Sequence, residues 1–153
     1  MIPMNDLFLR LASPAPSPTM DKEASSQGKT LKITEILSIA SNIKAIHVKT
    51  RRYSQHMALD EAFDDLNDAL DKFNECVQGY YRRKSGRQLN LTNAEISYKL
   101  PPDDGVYDAI KVLEDRFKSV SDSLVKDVSP LISLQDDVLN CFYQLYYRLD
   151  LKG

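Results

Sequence analysis

The chain has 153 residues, 42% hydrophobic and 27% charged, with a formal net charge of −2. That suffices for one domain with a real core and is an ordinary soluble composition, with no electrostatic footprint for nucleic acid. No apolar run approaches the ~18 residues of a membrane span, and the only two cysteines, Cys76 and Cys141, lie in helical apolar patterns, which argues for reduced thiols, a cytoplasmic setting and no disulfide framework.

Residues 1–29 read as an extended N-terminal tail. MIPMNDLFLRL has an acid inside its short apolar stretch and no basic residue before it, so it is a poor signal peptide. Leu7, Phe8 and Leu11 allow one or two amphipathic turns. SPAPSPT follows, with prolines at alternating positions, a composition that favours a semi-rigid spacer. The tail reads either as disordered or as a docking peptide, residues 1–12, for the groove or sheet edge of a larger assembly.

The remainder, 30–153, reads as four amphipathic helices. The first starts near Thr30, with Ile33, Ile36, Leu37, Ala40, Ile43 and Ile46 on its apolar face and His47 beside that face. A tight turn is expected over 49–53. The second helix, 51–78, carries Leu59, Phe63, Leu66, Leu70, Phe73 and Val77 at alternating spacings of four and three, which is helical periodicity. It is expected to end at Gly79 or soon after. Arg82, Arg83, Lys84 and Arg87 then read as a solvated helix end, where cations are favoured, with phosphate binding as the alternative. Thr92 to Glu95 forms a capping box and predicts a short helix before Pro101-Pro102 stops it.

Asp103 or Asp104 is expected to cap the third helix, with Val106, Ile110, Leu113, Phe117, Val120 and Leu124 as its stripe. Ser129 followed by Pro130 reads as an N-cap with Pro at the first helical position. The fourth helix carries Leu131, Leu134, Val138, Cys141 or Phe142, Leu145 and Leu149. Four long helices with one long second connection describe an all-α four-helix bundle. No Gly-rich phosphate loop and no nucleophilic triad is present.

A second stripe borders the core face of the second helix. His56 and Asp60 are four residues apart, Asp60 and Asp71 eleven, Asp71 and Glu75 four. Eleven residues are close to three turns, so the four side chains share an arc of roughly 100°. An imidazole with three carboxylates suits iron or another divalent cation. The same pattern also fits a plain boundary between core and water.

The stretch HVKTRRYSQHMALDEAFDDL, continued by DKFNE, resembles the mini-ferritins of the Dps type. It is similar above all to small phage-encoded ferritin-like proteins. The resemblance implies a ferritin-like bundle and an iron site shared across a two-fold interface. His47, His56 and Asp60 would come from one subunit, and Asp71 and Glu75 from its neighbour. It implies a homo-oligomer with ferroxidase or iron-storage activity. The division agrees with length, since Asp60 and Asp71 are about 16 Å apart along one helix, too far to share a metal within a chain. This sequence departs from the family pattern in three places. His47 precedes His56 by nine residues, a shortened interhistidine loop without the usual Trp and Gly. No Glu-x-x-His occurs in the third or fourth helix, and the tail is not basic. The alternative function is a structural or interaction protein, a virion component or capsid cargo, with the bundle as scaffold and the tail as its attachment. The location is then the cytoplasm or the virion.

Overall fold

The computed structural model describes residues 30–86, 90–91 and 99–151. The tail 1–29, Arg87 and the short helix expected after Thr92 lie outside them. The described residues form four helices: α1 (Ile33–Lys49), α2 (Tyr53–Ser85), α3 (Val106–Val125) and α4 (Ser129–Asp150). Two short strands, β1 (Thr30–Leu31) and β2 (Asn90–Leu91), pair in parallel. No described helix is long and apolar enough to cross a membrane.

Ion pairs and hydrogen bonds give the helix directions. Arg148 near the end of α4 reaches Glu61 near the start of α2 at 3.2 Å. The Tyr81 hydroxyl late in α2 donates to the Leu124 carbonyl late in α3 at 2.6 Å. Arg116 of α3 faces Glu35 at the start of α1, at 3.9 Å. Thus α2 and α3 run parallel on one diagonal, and α1 and α4 pack antiparallel to both. The α2–α3 connection must therefore travel the length of the bundle. It leaves beside β1, where Asn90 and Leu91 pair with Thr30 and Leu31. It arrives at the opposite end, where Lys49 Nζ donates to the carbonyls of Leu100 and Pro101 at 3.3 and 2.6 Å.

The core is one cluster fed by all four helices, with Ile36, Ile43, Leu59, Leu66, Leu70, Phe73, Ile110, Phe117, Val138 and Phe142 fully buried. Phe73 and Phe117 meet edge to face at 5.3 Å between centroids, joining the two diagonal helices. The apolar stripes of α2 and α3 are those expected from spacing. In α1, Ile39 is fully buried while Leu37 is only partly so, because α1 touches both α2 and α3 and its buried arc is wider than one stripe.

Four local expectations are corrected. α2 does not stop at Gly79 but runs to Ser85 and ends on Gly86, which is left-handed at φ 68°. One helical glycine costs only about 1 kcal/mol, and Tyr81 extends the buried stripe one turn further. Neither Asp103 nor Asp104 caps α3 through its side chain; the chain makes a 3-10 turn over Asp103–Gly105 first. Asp103 instead accepts from the Arg51 backbone N–H at 3.3 Å, and its carbonyl accepts from Gln55 Nε2 at 3.0 Å. Ser129 is the first helical residue of α4, with Val128 at the cap and Pro130 second. Leu131 and Ile132 both donate to the Val128 carbonyl at 3.0 Å.

Candidate metal half-site at the α1–α2 turn

Three non-helical residues, Thr50 to Arg52, separate α1 from α2. They are held rigidly. Thr50 is buried, and its hydroxyl donates to Gln55 Oε1 at 3.0 Å. Asp103 ties Arg51 and Gln55 to the start of α3. This turn sets the end of α1 against the start of α2, so the nine-residue spacing of His47 and His56 becomes a direct contact.

The two imidazoles lie 3.8 Å apart between centroids, tilted by 30°. Each Nδ1 meets the other residue's backbone carbonyl, His47 to His56 at 2.9 Å and His56 to His47 at 3.0 Å. A carbonyl oxygen can only accept, so each Nδ1 must carry a proton. In the neutral ring that leaves both Nε2 atoms with a free lone pair. Second-sphere carbonyls fix metal-binding histidines in this tautomer. The His47 carbonyl belongs to the last turn of α1, where helical partners run out, so His56 also caps α1.

Asp60 stands one turn beyond His56. Its Oδ1 lies 3.7 Å from His47 Nε2 and 3.2 Å from Lys44 Nζ. Lys44 Nζ is also 5.0 Å from the Phe63 ring centroid. An open groove of about 470 Å³ runs beside them, lined by Ser41, Ala45, Val48, Lys49 and Leu100 as well as Lys44 and Phe63.

The fold therefore brings His47, His56 and Asp60 together within one chain. It does not bring Asp71 and Glu75 to them. Those two are exposed further along α2, and neither has an ion pair among the described residues. Among the described residues of a single chain, no three His, Cys, Asp or Glu side chains converge tightly enough to hold an ion. What the chain itself brings together is two imidazoles in contact and one carboxylate near His47.

Sequence reasoning missed Lys44, although its spacing of three before His47 places it on the same helical face. It also missed Glu114, buried in α3. Its carboxylate accepts from the Tyr146 hydroxyl at 2.6 Å and pairs with Lys118 at 3.1 Å. Burial, then the bond to Glu114, pushes the Tyr146 phenol well above its ordinary range. Tyr81 is buried, while Tyr143 and Tyr147 are exposed.

A family described as a family of unknown function (DUF5856) matches residues 47–149, a span that contains all five predicted ligands. The uncharacterized 14.6 kDa protein of the mobD-ri intergenic region of Enterobacteria phage T4 is 36% identical over 133 residues, 84% of this chain and 95% of that protein. No solved structure matches the chain.

Proposed function

We propose that this chain, which belongs to the family of unknown function (DUF5856), is a ferritin-like protein that self-associates and binds divalent iron between subunits. The carrying observation is the reciprocal histidine clasp, which holds a proton at Nδ1 of both rings, so that a neutral ring has its Nε2 lone pair free. A histidine that only packed would not need its Nδ1 proton anchored on a carbonyl with a carboxylate 3.7 Å from its other nitrogen. Mixed imidazole and carboxylate donors suit Fe(II). The bundle's single long crossover is also the connectivity of ferritin-like folds.

A second subunit, its α2 antiparallel to the first, would offer Asp71 and Glu75 to the half-site and complete five ligands with positions left open. Fe(II) is cargo in this reading. His47, His56 and Asp60 bind it, an oxidant from solution takes its electron, and the released Fe(III) is stored by the assembly. The test is sedimentation of the full chain with and without Fe(II) under argon, with the bound metal measured. An oligomer that binds Fe(II), and loses it in the His56→Ala, Asp60→Ala double variant, is expected. A monomer in both conditions, or unchanged binding in the double variant, refutes the reading.

A different observation favours a second reading, a structural component or cargo of a phage particle. Val48, Tyr53, Met57, Tyr107, Tyr147 and Leu151 are all exposed, and all lie at the end of the bundle that holds the α1–α2 turn. Such a concentration of large apolar groups marks an interaction surface. With the relative encoded by a phage, the bundle would serve as scaffold and residues 1–12 as its attachment. A chain starting at Thr30 should then keep its helical content and lose co-purification with the native assembly. Retained co-purification counts against the tail as the attachment.

A further inference from the structure

Four of the chain's eight tyrosines meet on one face of the bundle. Tyr143, Tyr146 and Tyr147 share an arc of roughly 100° on α4, and the Tyr107 ring of α3 lies 4.8 Å from that of Tyr146. Tyr107, Tyr143 and Tyr147 are exposed. Two charges beside them are spent on each other, since Glu114 accepts from Tyr146 and pairs with Lys118 at 3.1 Å. The centre of the α3–α4 seam therefore offers ring faces and hydroxyl groups rather than net charge. Rings with a polar tip suit contact with a partner that is apolar in part and has acceptors for the hydroxyls.

One segment of this chain has that chemistry. Residues 13–19 read SPAPSPT, without a charge and with three prolines. Such a composition favours the polyproline II helix, whose backbone carbonyls have no internal partners, and proline-rich peptides dock on aromatic-lined surfaces. The start of α1 stands near enough to deliver it. Glu35 faces Arg116 on one side of α3. Glu114, two residues before Arg116 and so on the other side of α3, holds Tyr146. One helix, about 10 Å across, separates them, and residues 20–29 can span up to about 33–36 Å. We propose that residues 13–19 dock on the tyrosine seam of their own chain, proline rings against tyrosine faces and carbonyls accepting from tyrosine hydroxyls. The inference is independent of the metal-binding reading.

The experiment is acetylation of the full chain with N-acetylimidazole, which modifies accessible phenols, read residue by residue by mass spectrometry. The unaltered protein is compared with a variant carrying Pro14→Gly, Pro16→Gly and Pro18→Gly. That variant keeps the length of the tail and removes its bias toward the extended helix. Tyr53, exposed at the start of α2, is the internal reference. A short tether gives an effective concentration in the millimolar range, so a contact of about 0.5 mM affinity protects about threefold. Tyr143 and Tyr147 are therefore expected to react about threefold faster in the variant, with the Tyr53 rate and the circular dichroism unchanged. The protection should survive about a hundredfold dilution, because a tethered segment is not diluted. Equal rates in the two proteins overturn the inference. Protection that fades on dilution assigns the seam to a second copy and overturns it too. So does a Tyr53 rate that rises with the others, since the tail would then act on the fold and not on the seam.

Discussion

Replacing His56 by Ala separates a structural clasp from a merely exposed histidine. The substitution removes the Nδ1–H bond to the His47 carbonyl, 3.0 Å long, a contribution of about 0.5–1.5 kcal/mol. It also removes the contact of two rings 3.8 Å apart, worth about 0.5–1.5 kcal/mol beyond area burial. The reverse bond survives, because His47 donates to the backbone oxygen of residue 56. The expected loss is therefore about 1–3 kcal/mol, a fall in Tm of about 3–10 °C for a chain of this size. Asp60→Asn gives the comparison. It weakens only a half-exposed pair with Lys44 and should cost under about 1 kcal/mol. The assay is thermal unfolding by circular dichroism in metal-free buffer, at one protein concentration because self-association shifts Tm. If His56→Ala melts within a degree or so of the unaltered protein, the clasp does not exist in solution. The tautomer assignment, and the metal reading built on it, then lose their basis.

Two further outcomes are expected elsewhere in the bundle. The turn between α3 and α4 closes with Val128 N–H on the Val125 carbonyl at 2.8 Å, and puts Lys126 at φ 24°, ψ −113°; glycine is favoured at that turn position, so Lys126→Gly should raise stability by roughly 1 kcal/mol in urea unfolding, and a loss would contradict the strain. The Tyr146 phenol is raised above its ordinary 10.0, so its stabilisation is fully present below pH 10 and is lost as pH climbs toward the folded value. Tyr146→Phe should accordingly lose stability at neutral pH, with Glu114 deprived of a donor, and show a shallower fall in Tm above pH 10, whereas parallel alkaline curves would mean that the phenol does not titrate with unfolding.

Periodicity made the four helices legible because each buries a stripe whose spacing the chain must obey. What failed was punctuation. Gly79 reads as a stop because glycine often ends helices, yet Tyr81, two residues on, is buried and hydrogen-bonded to α3. Tertiary contact outweighs one residue's propensity. Asp103 reads as a cap because it precedes an apolar run, but the Arg51 backbone lies across the bundle from it in sequence, 52 residues away. Nothing local to either segment records that meeting. The candidate site was legible to the same degree. His56 and Asp60 were named from spacing and His47 from a family resemblance, and the fold sets His47 against both. Lys44 was not, because a lysine on a half-exposed helical face has no signature until the carboxylate beside it is known.

The same two hydrogen bonds close α1 onto α2 and are donated by the Nδ1–H of both imidazoles, so ring orientation and fold are not independent here. The nine-residue spacing of the two histidines leaves room for little more than the turn itself, which sets the two rings 3.8 Å apart. The two ring orientations are thus set by folding, so any ligand that needs both imidazoles finds their ordering cost already met.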